Sequence, residues 1–385
     1  MKRNLCIILA ACLAIMALAG CSQGSGNSAN EIKIGINYEL SGNVATYGQS
    51  SVDGIMMAID EINAAGGVNG KKLVAVKYDN KSEPAEATTL ANKLISQDKV
   101  IAILGPATSG SFKAEIPVAD KNKIPVISGS ATADDVTIDA SGLKEYAFRI
   151  CYTDSFQGTA MANFSAKNLK ATKAVIIKDN SSDYAKGLAE NFTSTFTAAG
   201  GTIVGEEAYV SKDTDFNAIL TKIRSLDFDV IYLPGYYEEA GLIIKQARAL
   251  GIDAPILGAD GFDSPSLAEL AGTDALNNVY FTNHYSSLDK DPTVTNFIAA
   301  FKAKYNKEPD AFNALGYDLA KFLADAIKRC DKLDGETLKN ALASTKDFTG
   351  VTGSFSIDEN HNPIKAIVVV GLKDGVQDSA VKVES

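Results

Sequence analysis

Three loops of this chain combine hydroxyl side chains with glycine, and each loop precedes a predicted helix. They span residues 41–48, 105–111 and 128–132. The first turn of a helix presents backbone N–H groups without intrahelical partners and carries a partial positive charge, so such a loop suits an anion such as a carboxylate. Serine and threonine also cap helices without binding anything, and each loop alone is equally compatible with that role.

An acid and several tyrosines follow predicted strands further along the chain, within residues 184–260. They are Tyr184, the pair Tyr236 and Tyr237, and Asp260. A carboxylate pairs with an ammonium group through charge-assisted hydrogen bonds, and tyrosine rings cover apolar surface. A lone aspartate after a strand is more often a turn residue. The combination with the hydroxyl-rich loops predicts a site for a zwitterion such as a free amino acid.

Short β-type runs alternate with helical patterns from Glu31 onward, which is typical of βαβ units with parallel sheets. One set ends near Ile150 and a second begins after Cys151, and each contains a helix that stops at Ala-Ala-Gly-Gly. We therefore predict an α/β fold with two doubly wound lobes, whose parallel central sheets are joined by a multi-strand hinge.

The later part of the chain is expected to return to both lobes. Predicted helices over 293–305, 312–330 and 336–344 would rejoin the first lobe, and a hairpin of 353–357 with 365–372 would cross to the second. The predicted boundaries are 31–150 plus 281–352 for lobe 1, and 151–280 plus 353–385 for lobe 2. Ligands of doubly wound sheets bind at the carboxyl ends of the strands, where the polar loops lie.

The N-terminus has the pattern of a secretory leader. Lys2 and Arg3 precede an apolar run over 5–19, which is shorter than the ~20 residues needed to span a bilayer. The sequence Leu-Ala-Gly-Cys at 18–21 resembles a bacterial lipobox, so we predict a signal peptide over 1–20 and acylation of Cys21. The alternative is a simple cleaved leader with Cys21 free or in a disulfide. Residues 21–30, rich in Ser, Gly and Asn, are predicted to form a flexible tether to the membrane.

Composition argues against nucleic-acid binding. The formal net charge is −10, and loss of Lys2 and Arg3 with the leader takes it to −12, whereas nucleic acid requires clustered positive charge. Of the five cysteines, Cys151 and Cys330 would remain unmodified in the folded part, and sequence does not decide whether they pair.

Many spaced motifs resemble the leucine/isoleucine/valine-binding proteins, which are the amino-acid-binding components of ABC importers and have a type I periplasmic binding fold. The similarity spans about 32–372. The motifs are Leu40-Ser41-Gly42 with Tyr47-Gly48, Asp60-Glu61-Ile62-Asn63 with Gly66-Gly67, Tyr78-Asp79-Asn80, Gly105-Pro106, Phe148-Arg149, Gln157-Gly158, Gly235-Tyr236-Tyr237 and Gln246-Ala247-Arg248.

The resemblance implies a set of ligand-binding residues. Ser109 matches the serine that holds the ligand carboxylate, and Ser130, Ala131 and Thr132 match the segment whose backbone and hydroxyl groups contact carboxylate and ammonium. Asp260 matches the acid that pairs with the ammonium, although the leucine-type proteins carry a glutamate there. The aromatic positions lining the cleft correspond to Tyr47, Tyr184 and Tyr236, and Phe312 aligns loosely with an aromatic wall.

The resemblance further implies a monomeric, extracytoplasmic protein that captures a neutral, branched-chain amino acid by hinge closure and delivers it to the membrane permease of an ABC importer. Because Asp260 is one methylene shorter than glutamate, another amino acid or an amide is an alternative ligand. A sensory module that signals to a receptor is another alternative, since the same scaffold serves in receptors.

An enzyme is the rival class, because doubly wound lobes host many chemistries. The chain contains two histidines, His284 and His361, and neither lies at metal-ligand spacing from another histidine or cysteine. It contains no Gly-x-Ser-x-Gly elbow and no Gly-x-x-x-x-Gly-Lys phosphate loop. We therefore expect no metal, no cofactor and no catalysis.

Overall fold

The computed structural model describes residues 30–383. The predicted signal peptide, Cys21 and all but the last residue of the predicted tether lie outside the described residues. Within 30–383, no helix has both the length and the apolar character needed to cross a membrane.

The first part of the chain alternates strands and helices. In order, its elements are β1 (Glu31–Tyr38), α1 (Ala45–Ala64), β2 (Lys72–Asp79), α2 (Pro84–Lys93), β3 (Ile103–Leu104), α3 (Ser109–Asn122), β4 (Val126–Ser128), β5 (Ile138–Asp139), β6 (Gly142–Leu143) and β7 (Ala147–Arg149).

The second part continues the alternation. Its elements are α4 (Asp154–Lys167), β8 (Lys173–Asp179), α5 (Asp183–Ala198), β9 (Thr202–Tyr209), α6 (Asn217–Arg224), β10 (Val230–Tyr232), α7 (Tyr237–Ala249), β11 (Ile256–Gly258), α8 (Pro265–Ala271) and β12 (Val279–Asn283).

The last part begins with helices and ends with strands. Its elements are α9 (Pro292–Tyr305), α10 (Ala311–Arg329), α11 (Gly335–Ala343), β13 (Phe348–Gly350), β14 (Gly353–Ile357), β15 (Pro363–Ile364), β16 (Ile367–Lys373) and β17 (Val376–Val383).

Two central sheets confirm the predicted doubly wound α/β fold. The first has the order β2-β1-β3-β4-β7 and all its strands are parallel. The second has the order β17-β16-β12-β11-β10-β8-β9, with a parallel part from β9 to β12 and an antiparallel edge of β16 and β17. Continuous apolar runs such as Val175–Ile177 are buried, as expected for strands covered on both faces.

The chain passes between the two sheets at three segments, residues 150–153, 284–291 and 365–366. Helix α9 contacts the first lobe through the Tyr305 hydroxyl, which donates to the Asp53 carbonyl at 2.8 Å. The polar turn near His361 also contacts the first sheet, because a His361 ring nitrogen lies 3.0 Å from the Ala147 carbonyl oxygen. Strand β12 extends the second sheet to Asn283.

Helices α1 and α10 cross in close contact beside the first sheet. A Cβ atom at Gly54 would lie 2.0 Å from the Asn313 carbonyl oxygen, and one at Gly316 would lie 2.0 Å from the Ser51 carbonyl oxygen. The absence of side chains at these two glycines therefore permits the approach. It places the first turns of both helices, with Tyr47 and Phe312, against each other.

The predicted hairpin of 353–357 with 365–372 is wrong in its second strand. β14 pairs instead with the short β15, while β16 joins β12 and the unpredicted β17. The physical reason is burial. Residues 367–371 of β16 are mostly buried. An interior position in the large sheet covers these residues, whereas a small hairpin would leave them exposed.

Candidate functional site

A small cavity lies between the two lobes, at the carboxyl ends of their strands. Its lining consists of Tyr47, Ala107, Thr108, Ser109, Ser130, Tyr184, Tyr236, Asp260, Gly261 and Phe312. The structure thus brings together six of the residues singled out from the sequence and adds Ala107, Thr108 and Gly261. Phe312, the fainter aromatic candidate, also lines it.

Ala131 and Thr132 are not part of this lining. Both are fully buried beside it. The Ala131 carbonyl accepts a hydrogen bond from the Arg149 guanidinium at 3.1 Å, and the Thr132 carbonyl accepts one from the Asp154 N–H at 2.8 Å. In this form of the protein these two residues support the loop from behind.

Ser109 and Ser130 line the same wall but use their hydroxyls differently. The Ser109 hydroxyl oxygen accepts from the Ala133 N–H at 3.1 Å, so its own proton is free to donate. The Ser130 hydroxyl donates its proton to the Ala107 carbonyl at 3.0 Å. Ser109 also begins helix α3, whose first-turn N–H groups have no intrahelical acceptors. This wall can therefore bind a carboxylate, with Ser109 as the available hydroxyl donor.

The loop before α3 is fixed by Glu39, a residue that sequence reasoning missed. Glu39 is fully buried, and its carboxylate accepts from the N–H groups of Ala107 and Thr108 at 2.9 and 3.1 Å and from the Thr108 hydroxyl at 2.9 Å. Desolvation raises the pKa of Glu39, while these hydrogen bonds oppose the rise. The bonds hold Ala107 and Thr108 in place against the cavity.

Asp260 faces the cavity from the second lobe, on a 3-10 turn that follows β11. The Tyr184 hydroxyl donates to Oδ1 at 2.7 Å, the Gln157 side-chain amide donates to Oδ1 at 3.2 Å, and His284 Nε2 lies 3.0 Å from Oδ2. Sequence reasoning named Tyr184 as a site residue, gave Gln157 only as part of the Gln157-Gly158 motif, and did not connect His284 with the site. The carboxylate is positioned to receive a cation from the cavity.

Aromatic rings form the remaining wall. Tyr47 stacks on Phe312 with ring centroids 4.3 Å apart, and Tyr184 stacks on Tyr236 at 5.1 Å. The edge of Tyr47 meets Tyr236 at 5.7 Å, which joins the two pairs across the cleft. Such a surface suits an apolar side chain of the ligand.

Direct contacts between the lobes show that this is a closed form. The Thr46 hydroxyl lies 2.9 Å from the Ser264 hydroxyl, and the Lys113 ammonium lies 2.8 Å from the Asp183 carboxylate. Thr46 and Lys113 belong to the first lobe, and their partners belong to the second. The cavity is therefore enclosed from both sides.

The described residues contain no group of histidine, cysteine and acidic side chains that could hold a metal ion. Cys151 and Cys330 are free thiols in the structure, so they do not pair. Burial raises the pKa of the Cys151 thiol to about 12, which keeps it protonated and unreactive.

Comparison with known proteins places these features in a family. Residues 31–377 match a family model described as periplasmic binding protein. The Leu/Ile/Val-binding protein BraC3 of Rhizobium johnstonii is 34% identical over 333 residues, 86% of this chain and 88% of that protein. The leucine-, isoleucine-, valine-, threonine-, and alanine-binding protein of Pseudomonas aeruginosa is 32% identical, covering 90% of each chain.

A solved structure shows the same likeness in three dimensions. The branched-chain amino acid transporter substrate binding protein LivJ from Streptococcus pneumoniae, in complex with isoleucine, superposes with a TM-score of 0.88. It is 43% identical, and the match covers 92% of this chain and all of LivJ (100%).

Proposed function

Because the chain belongs to the periplasmic binding protein family, we propose that it captures a neutral, branched-chain amino acid outside the cytoplasm and delivers it to an ABC importer. One observation carries the proposal. A hydroxyl donor, Ser109, and a buried acid, Asp260, line the same cavity from opposite lobes. A free amino acid offers the complementary carboxylate and ammonium.

The proposed capture begins on the first lobe, where Ser109 and the start of α3 receive the ligand carboxylate. Ser130, Ala131 and Thr132 form or support that wall. The second lobe then closes, so that Asp260 meets the ammonium and Tyr47, Tyr184 and Tyr236 enclose the side chain. Closure is favoured only to the extent that the ligand contacts both lobes, because a ligand shifts an equilibrium by its differential affinity for the two states.

Branched-chain ligands are favoured by the aromatic wall and by the relatives. LivJ of Streptococcus pneumoniae holds isoleucine, and the Rhizobium johnstonii relative is named for leucine, isoleucine and valine. The Pseudomonas aeruginosa relative is also named for threonine and alanine, so a small or hydroxylated amino acid is the second candidate. The shorter acid, Asp260, is the residue on which that choice depends.

We also propose that Cys21 carries a lipid anchor, that 1–20 is the signal peptide and that 21–30 is the tether. Lobe 1 would comprise 31–150 with 281–352, and lobe 2 would comprise 151–280 with 353–385. A monomer anchored in this way would stay near the permease of its importer. Mass spectrometry of the membrane fraction tests the anchor, since Cys21→Ser should abolish the acylated mass and release the protein.

The binding proposal is tested on ligand-stripped protein with calorimetry and thermal shift. L-Leucine, L-isoleucine and L-valine should each bind and raise the melting temperature, because a ligand that binds only the folded state stabilises it. D-Leucine is the matched control, since it has the same groups in the wrong arrangement. Binding of L-alanine or L-threonine alone would replace the branched-chain assignment, and indifference to every amino acid would end the proposal.

Two further measurements separate the remaining classes. Recovery of unchanged amino acid after prolonged incubation is expected of a binding protein, whereas a new product would indicate an enzyme. Loss of amino-acid uptake in cells lacking the protein would support transport, whereas loss of a response with intact uptake would support the sensory alternative.

A further inference from the structure

The hydrogen-bond partners of Asp260 share one property, which is that they can all be neutral. Tyr184 is a phenol whose pKa is raised well above its ordinary value, chiefly by burial, and Gln157 is an amide. The third partner is His284. Among the described residues, it is the only basic side chain within salt-bridge distance of Asp260. Whether a positive charge lies beside the Asp260 carboxylate therefore depends on the protonation state of one imidazole.

His284 is enclosed on all sides. Its side chain is 1% exposed, and its ring stacks on Tyr152 with centroids 3.9 Å apart and planes 10° from parallel. Burial lowers the pKa of His284, and the nearby Lys365 ammonium acts in the same direction, while Asp260 opposes both. The titratable groups near the ring are therefore Asp260, Lys365 and the stacked Tyr152 phenol.

The hydrogen-bonding pattern selects one form of the ring. His284 Nε2 lies 3.0 Å from Asp260 Oδ2 and donates a proton to it when Asp260 is a carboxylate, whereas Nδ1 has no partner within the described residues. A second proton on Nδ1 would create a buried donor without an acceptor, which is costly. The structure therefore favours the neutral imidazole with its proton on Nε2.

Both residues of the stacked pair lie on segments that connect the lobes. Tyr152 is between β7 and α4, and His284 directly follows β12. Hinge motion must pass through these segments. The orientation of the Asp260 carboxylate is thus set from the hinge as well as from the second lobe.

We propose that His284 is a positioning residue that orients Asp260 for the ligand ammonium by donating from a neutral ring. The inference rests on the proposed function. A cationic donor at this point would cancel the charge of Asp260 and compete with the ligand. A neutral donor orients the Asp260 carboxylate and leaves its negative charge uncompensated until the ligand ammonium binds.

The first test compares His284→Gln with His284→Asn. The glutamine amide nitrogen reaches the position of Nε2, whereas the asparagine amide ends near the position of Nδ1 and cannot reach Asp260. Calorimetry with L-leucine at pH 7 should show about tenfold weaker binding for His284→Asn, from one lost hydrogen bond to a charged group. His284→Gln should bind within about threefold of the wild type, by the same scale.

The second test observes the ring directly. The chain has two histidines, so His361→Gln leaves His284 as the only imidazole in the nitrogen-15 spectrum. The Nε2–H neutral pattern should persist at pH 7 with and without L-leucine. A charged imidazole or an Nδ1–H tautomer would overturn the inference, and this readout does not depend on whether any variant of His284 folds.

The positioning role of His284 and the proposed function can be tested separately. If the wild-type protein binds L-leucine and His284→Asn binds it equally well, the positioning role is wrong and the proposed function stands. If the wild-type protein binds no amino acid, the proposed function is wrong whatever the spectrum of His284 shows.

Discussion

Tyr47 and Gly261 lie on opposite lobes, and the Tyr47 hydroxyl donates to the Gly261 carbonyl across 2.5 Å. The same hydroxyl accepts from the Tyr237 N–H at 3.3 Å. Tyr47→Phe should remove both bonds and keep the stack on Phe312. Each bond contributes about 0.5–1.5 kcal/mol, so the closed form should be disfavoured by about 1–3 kcal/mol. Small-angle scattering of the liganded variant should show a larger open fraction, and an unchanged profile with unchanged affinity would contradict the prediction.

Asp260→Asn should weaken amino-acid binding by about 3–5 kcal/mol, or roughly two to three orders of magnitude, because the ligand ammonium would be buried without its counter-charge. Calorimetry with L-leucine measures the change. Asp260→Glu is the matched control, since it retains the charge and should recover part of the affinity. Near-wild-type binding by Asp260→Asn would remove this residue from the site.

Ser109→Ala should cost more binding energy than Ser130→Ala. The Ser109 proton is free for a ligand carboxylate, and its loss should cost about 1.5–3 kcal/mol as a hydrogen bond to a charged group. The Ser130 proton is committed to the Ala107 carbonyl, so its removal should affect melting temperature more than affinity. Equal losses from the two variants would show that the carboxylate is held elsewhere.

The convergence of Ser109 and Ser130 could be predicted because parallel strands of one sheet end at a common edge, and Asp260 follows a strand that ends at the corresponding edge of the second sheet. A strand pattern followed by a hydroxyl-rich or acidic loop is visible in the sequence, so the loops were found. Which side chain of a loop faces the cavity depends on backbone torsion. That is why the sequence alone does not distinguish Ser130, in the lining, from Ala131 and Thr132, behind it.

The sequence around each supporting residue does not indicate its partner. Gln157 is 103 positions from Asp260 along the chain and His284 is 24 positions away, and neither belongs to a motif that names its partner. The pairing of β16 could not be predicted either. An apolar strand pattern indicates that a strand is buried, but it does not indicate which strands lie next to it. Contacts of this kind are decided by packing over long sequence separations.

Gly54→Ala and Gly316→Ala should each destabilise the fold by about 1–3 kcal/mol, because a methyl group would meet a backbone carbonyl of the facing helix and force α1 and α10 apart. Urea denaturation measures the loss. Affinity should also fall, since Tyr47 and Phe312 are placed by the same crossing. Gly187→Ala in α5 is the control, as its Cβ would meet Asp154 at an ordinary 3.6 Å and the change should be neutral or slightly stabilising. Wild-type stability in both crossing variants would refute the close-packed interface.

Asp310 should make both stability and closure dependent on pH. Burial, with the neighbouring charge of Asp263, raises the pKa of Asp310 from its ordinary value of 3.8 to about 7. The folded state then holds this proton more tightly than the unfolded state, so the free energy of unfolding should fall as pH rises from about 4 to about 7.

A difference of about three pKa units between the folded and unfolded states corresponds to about 4 kcal/mol of stability. We expect a smaller change in the free energy of unfolding, about 1–2 kcal/mol, because Asp310 is partly exposed and solvent screens its charge. Asp263 is on the second lobe and accepts from the Ala311 N–H of the first at 2.8 Å, so closure brings the two acids together. Ligand affinity should therefore be higher at pH 5.5 than at pH 8.

Asp310→Asn isolates this contribution, because asparagine can still cap α10 while losing the titration. Subtracting the urea-denaturation profile of Asp310→Asn from that of the wild type cancels the contributions of the buried acids that do not interact with Asp310. The difference should slope downward between pH 4 and 7 and be flat above pH 8. A flat difference throughout, with parallel affinity profiles, would show that Asp310 titrates at its ordinary pKa and plays no part in closure.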